Sequence, residues 1–169
     1  MSRATISTLP RSRWLSATAI LLLAMAGCGS SDDPFELFKQ GQYEAAFPIF
    51  LERAGAGDLD ALNYVGIHYY LGLGVDKDYT AAIESFTQAA LNNHADAMRN
   101  LGVMYMRGLG VPQDWGKAYG WLYHAVNLGH EKAEEYLSVT ADYVTPNRSM
   151  QERKAVAEQI KAHQRESAN

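Results

Sequence analysis

The sequence predicts an all-α fold, an α-solenoid of stacked helix-turn-helix repeats with a C-terminal closing helix. Three observations predict it. The stretch GLGVDKDYTAA from Gly72 returns as GLGVPQDWGKA from Gly108, an interval of 36 residues. Sliding the chain by 36 aligns residues 60–95 with 96–131 and leaves twelve positions identical, from Asp60/Asp96 through Gly66/Gly102, Tyr69/Tyr105 and Asp78/Asp114 to His94/His130. The register also extends outward, linking Tyr43, Tyr79 and Trp115, then Phe50, Phe86 and Leu122. A fixed period of this length marks stacked supersecondary units, none of which can bury its apolar face alone.

The chain starts with a different kind of signal. Arg3, Arg11 and Arg13 precede the apolar run WLSATAILLLAMA, Trp14 to Ala26, which is too short to span a bilayer as a stable helix. Residues 1–27 therefore read as a secretory signal, ending in MAGCGS around Cys28, the only cysteine of the chain. A lone thiol has no internal disulfide partner. Small residues before a cysteine resemble the lipobox of bacterial lipoproteins, with Met25 in place of the commoner Leu. The resemblance implies cleavage before Cys28 and lipid attachment there, and several acyl chains supply firm anchoring. Gly29 stands after the cysteine where Asp would favour the inner membrane, so the expected location is the periplasmic side of the outer membrane of a Gram-negative bacterium. Residues 28–34 form a short polar tether after the lipidated cysteine.

Loss of residues 1–27 removes three arginines and no acids, leaving 12 Lys and Arg against 19 Asp and Glu, a net charge of −7. Such a surface repels phosphate backbones, so nucleic acid is not an expected partner.

Residues 35–141 hold the repeats, with 60–95 and 96–131 complete and partial units on both sides. Asp33 caps a first short helix over 35–40, with Pro34 in its first turn. A second runs from about Gln42 to Ala54, and Pro48 within it removes one backbone hydrogen bond. In each complete unit the first helix carries core residues at helical spacing, Leu62, Val65, Gly66 and Tyr69, then Met98, Leu101, Gly102 and Tyr105. Gly72 and Gly108 end these helices in a left-handed conformation. Asp78 and Asp114 offer carboxylates to the free amides that open the second helices. Gly116 and Gly120 inside a helix read as points of close approach, since each otherwise costs about 1 kcal/mol relative to Ala.

Residues 142–169 form a C-terminal capping helix and tail. Thr145 or Ser149 caps the helix, Met150, Arg153, Ala157 and Ile160 share one side, and the tail after Ile160 is expected to fray.

The order LGxxY, GxGV, Asp, Ala resembles the Sel-one-like repeat (SLR) family, relatives of tetratricopeptide repeats, over about residues 40–137. The resemblance implies scaffolding, often in envelope assembly or secretion.

Chemistry finds little support. GLGV lacks the third glycine of a dinucleotide fingerprint and follows a helix instead of a strand. HEKAE at His130 has Glu134 where a zinc helix needs its second His. No two of His68, His94, His124, His130 and His163 share an i, i+3 or i, i+4 relation, so no metal site or cofactor is expected. His94 and His130, one period apart, read as structural or capping residues. The aromatic group Trp115, Tyr119, Trp121 and Tyr123 reads as core. No residue is assigned a catalytic role.

What remains is surface. In tetratricopeptide-like stacks the first helices line a concave face that receives a peptide segment. Asn63, Ile67 and Tyr70, with Arg99, Val103 and Met106 one period later, face away from the LGxxY core and form the expected groove for a protein or peptide partner. The reading is a lipid-anchored periplasmic scaffold or adaptor, not an enzyme; the alternative is an SLR-type enzyme acting on peptidoglycan or β-lactams.

Overall fold

The computed structural model describes residues 33–168. The predicted signal, Cys28 and most of the tether lie outside them. Among the described residues there are eight helices and no strand: α1 Pro34–Lys39, α2 Tyr43–Gly55, α3 Leu59–Leu71, α4 Tyr79–Leu91, α5 Ala95–Arg107, α6 Trp115–Asn127, α7 Glu131–Ala141 and α8 Pro146–Ser167. None of these is long and apolar enough to cross a membrane.

The local chemistry sets the element boundaries. Asp33 caps α1, Asp58 caps α3 through the Ala61 amide at 3.0 Å, and Asp78 accepts from the Thr80 and Ala81 amides at 2.8 and 3.0 Å. Asp114 does the same for α6 through the Lys117 amide at 3.0 Å. Gly72 and Gly108 close α3 and α5 with φ of 73° and 67°, a left-handed conformation that costs glycine nothing. Helix α2 runs uninterrupted through Pro48, whose ring lies on the exposed side of the helix, where the freed Glu44 carbonyl can reach water.

The second glycine of each GLG turn has a separate role. A Cβ on Gly74 would lie 2.6 Å from the Tyr43 carbonyl carbon and the Glu44 nitrogen, and one on Gly110 would lie 2.8 Å from the Tyr79 Cβ. Tyr43 and Tyr79 are one period apart, so each turn rests on the start of the second helix in the preceding unit. The repeated punctuation is therefore a contact between units as well as a helix stop.

Pairs α3–α4 and α5–α6 pack most extensively, and α2 on α3, α4 on α5 and α6 on α7 join one pair to the next. The main core runs through Leu62, Phe86, Met98, Leu101, Met104, Trp121 and Leu122, with Ala82, Ala89, Ala97, Ala118, Ala125 and Ala133 at the close approaches. A smaller cluster around Ala46, Phe50, Ala61 and Val65 closes the N-terminal end, with Phe35 and Phe38 edge-on to the Phe50 ring and Tyr64 stacked on it.

Helix α8 departs from the repeat. It packs against α6 and, further along, α4, instead of completing a pair with α7. The contact follows an i, i+4 line. A Cβ on Gly116 would meet the Arg148 guanidinium, and one on Gly120 would lie 3.0 Å from Val156 Cγ2 and 3.1 Å from the Glu152 carbonyl oxygen; Val156 and Ile160 continue the line into the main core. This corrects the predicted face of the closing helix. Ile160 is buried, but Met150 is 43% exposed and Val156 takes the central place, because the crossing point is set by the two glycines of α6. Thr145, not Ser149, is the cap, accepting from the Arg148 amide at 3.4 Å. The helix also continues past Ile160 to Ser167, where fraying was expected. His163 holds its distal half, with Nε2 3.2 Å from Asn92 Nδ2 at the end of α4.

Candidate functional site

The first helices α3 and α5 share a surface bordered by α1 at one end and α7 at the other. Two hollows lie on it. One, of about 430 Å³, is lined by Phe35, Asp60, Asn63, Tyr64, Ile67, Asp96, Arg99 and Asn100. The second, smaller at about 60 Å³, is bordered by Ile67, Tyr70, Arg99 and Val103 and reaches down to Phe86 and Met104.

The structure thus brings five of the six sequence-predicted groove residues together. Ile67 and Arg99 border both hollows, Asn63 the larger, Tyr70 and Val103 the smaller. Met106 lies outside both, and its carbonyl accepts from Gln113 Nε2 at 2.8 Å. Asn63 and Val103 are 6% and 7% exposed, so they form walls more than open surface.

Polar contacts tie this surface together. Asn100 Nδ2 donates to Asn63 Oδ1 at 3.0 Å. Arg99 Nη1 donates to Asn100 Oδ1 at 2.9 Å, Nη2 donates to the Tyr136 hydroxyl on α7 at 3.2 Å, and the guanidinium lies 4.8 Å from the centre of the Tyr136 ring. Its Nε–H is buried without an acceptor. Asn100 and Tyr136 are the residues that sequence reasoning missed here: Asn100 aligns with Tyr64, and Tyr136 belongs to the incomplete unit, so the period points to neither.

At the edge of the same surface, His94 Nε2 lies 2.8 Å from Asp60 Oδ1, and His130 Nε2 lies 3.0 Å from Asp96 Oδ1. Each pair joins the start of one first helix to the start of the next. His94 also caps α5, its Nδ1 accepting from the Ala97 amide at 3.2 Å, whereas His130 makes no cap bond to α7.

The remaining histidines are structural. His68 is wholly buried among Phe38, Tyr43, Phe47 and Phe50, with Nδ1 bonded to the Leu73 carbonyl. Burial pushes its pKa down, partly opposed by that carbonyl. His124 Nε2 lies 2.9 Å from the Arg153 carbonyl of α8. Among the described residues no group of three or more His, Cys, Asp or Glu side chains converges as a metal site requires.

The aromatic group of α6 is divided by the structure. Trp121 is in the core, Trp115 stacks on Tyr143 at 4.1 Å, and Tyr123 lies between Tyr119 and the Arg153 guanidinium, 4.7 Å from its ring. Only Trp121 is core as the sequence predicted; Trp115 joins α6 to the loop between α7 and α8, and Tyr123 joins it to α8.

Comparison with known proteins agrees with this architecture. The Sel1 repeat profile matches residues 59–94 and 95–130. A protective antigen of uropathogenic Escherichia coli that displays an SLR fold superposes with a TM-score of 0.68 at 24% identity, over 75% of this chain and 28% of that one. A Sel1 repeat protein from Oxalobacter formigenes superposes with a TM-score of 0.60 at 29% identity, over 75% of this chain and 54% of that one. The chain thus spans about a quarter to a half of the length of these two structures. No curated protein matches it. With two tandem matches in sequence and helix pairs stacked at the same period in space, this chain carries two Sel1 repeats.

Proposed function

We propose that this chain is a protein-interaction scaffold of the cell envelope, anchored by lipid on Cys28 to the periplasmic side of the outer membrane, with its first-helix face holding a segment of another protein. One observation carries the binding half of the reading. The hollow of about 430 Å³ between α3 and α5 combines apolar walls with a guanidinium, two carboxamides and two carboxylates, the mixture that seats an extended peptide and fixes its register. The anchoring half is supported by the basic, apolar and small-residue order of residues 1–28. A scaffold tethered by so few residues works close to its membrane.

The full chain expressed in a Gram-negative host separates the two halves. Mass spectrometry is expected to find acyl chains on Cys28, and Cys28→Ala is expected to release the protein from the membrane fraction. An unacylated, freely soluble wild type would remove the anchor. Crosslinked pulldown from envelope extract is expected to recover one protein at stoichiometric yield, lost in Tyr70→Ala/Arg99→Glu. Turnover of a β-lactam or muropeptide panel without such a partner would replace the scaffold by the enzymatic alternative.

A further inference from the structure

The charge distribution of the first-helix face says more about what it holds. This inference rests on the scaffold reading of that face. Arg99 is partly buried, and among the described residues no carboxylate lies within ion-pair distance of it; most Lys and Arg side chains share that state, but Arg99 alone among them lines both hollows. Its partners are neutral, Asn100, Tyr136 and the Tyr136 ring, and its Nε–H has none. A guanidinium presents five donors in a fixed fork suited to carboxylates, and Nη1 and Nη2 of Arg99 each use one of their two here. In a chain with more acids than bases, a cation left out of ion pairs at the junction of both hollows, although Asp60 and Asp96 line the larger one, is suited to an acid supplied from outside.

We propose that Arg99 receives the carboxylate of an Asp or Glu side chain from an extended segment of the partner protein, with an apolar neighbour of that residue entering the hollow of Ile67, Tyr70 and Val103. A side chain fits better than a chain end, because Arg99 stands on the middle of three first helices, with α3 on one side and α7 on the other, so a bound segment continues past it in both directions. Asp60 and Asp96 line the same larger hollow and are paired only to histidines. They disfavour a uniformly acidic ligand, so the segment carries a single acid beside neutral or basic residues.

The test pans the full chain against a phage-displayed library of random dodecapeptides, fused at their C-termini so that no free terminal carboxylate is offered. Selected peptides are expected to share an Asp or Glu at fixed spacing from an apolar residue. As synthetic peptides, amidated at the C-terminus, they are expected to lose about tenfold in affinity on Glu→Gln, and to bind Arg99→Gln about tenfold more weakly. The two losses should not add in the double mutant, and Arg99→Lys should keep part of the affinity. Should Arg99→Gln fail to fold, the Glu→Gln change in the peptide still decides. Binders that are weakened by Tyr70→Ala but show no acidic preference, and bind Arg99→Gln equally, would overturn the carboxylate inference and leave the scaffold reading standing. A library yielding no binder to the wild-type face would remove both.

Discussion

The two complete units and the C-terminal end use helices of similar design to opposite effect. In α5, Met98, Leu101, Gly102 and Tyr105 turn toward α6; the aligned residues of α7 are Glu134, Leu137, Ser138 and Ala141, of which only Leu137 is even partly buried. A helix that presents Glu and Ser where its predecessor presents Met and Gly cannot reward a partner pair, so the stack stops there. The apolar line of α8 finds its seam on α6 instead, over the two glycines that α4 lacks: Gly116 and Gly120 align with Thr80 and Glu84. Repetition extends a solenoid, and loss of the repeated apolar face ends it without an exposed core.

The largest expected effect tests that crossing. Gly120→Leu places a side chain where a Cβ alone would lie 3.0 Å from Val156 and 3.1 Å from the α8 backbone, and should cost about 1–3 kcal/mol in urea unfolding. Gly116→Ala meets only the movable end of Arg148, and the gain in helix propensity, about 1 kcal/mol, offsets the displacement. Equal costs at both positions would mean that α8 is not held where the backbones approach.

A smaller effect compares the two histidine pairs of the repeat. His94→Ala removes both the Asp60 contact and the cap on α5 and should cost about 1 kcal/mol. His130→Ala removes a contact to an exposed Asp96 but no cap bond, so it should cost less than His94→Ala, whose side chain is buried to the same extent. Thermal melts of the two variants side by side decide it, and a larger loss for His130 would contradict the assignment of the cap.

The smallest effect concerns the N-terminal end, where His68 stands at the position that Met104 occupies one period later. Its pKa is lowered in the folded protein by burial, so below the ordinary value of 6.5 the unfolded chain takes up a proton that the folded one resists. Stability then falls as pH falls through that region and is flat above it. The urea midpoint measured from pH 7.5 to pH 5 should decline, and His68→Met should flatten the decline. An unchanged slope in His68→Met would place the acid sensitivity elsewhere.

Much of this architecture was legible beforehand. The caps at Asp33, Asp78 and Asp114, the left-handed stops at Gly72 and Gly108 and the alanine seams all depend on neighbours within one unit, and a period of 36 repeats those neighbours visibly. The groove was legible as a face but not as a site. Helical spacing puts Asn63, Ile67, Tyr70, Arg99 and Val103 on one side, but it cannot show that Asn100 bridges Asn63 to Arg99, or that Tyr136 lies under the guanidinium. Those contacts join residues 37 apart in the chain, one beyond the period, because neighbouring helices meet with an offset.

By itself, then, the sequence determined the unit: where each helix starts and stops, which face is apolar, and that one unit needs another. Such features follow from backbone sterics, unpaired amides and spacing of 3.6 residues per turn, all of which act within a few residues. Only the tertiary structure decided where the last helix lies and what surrounds Arg99. Both depend on which surfaces remain after the units have stacked, and that is a property of shape in three dimensions that no local pattern encodes.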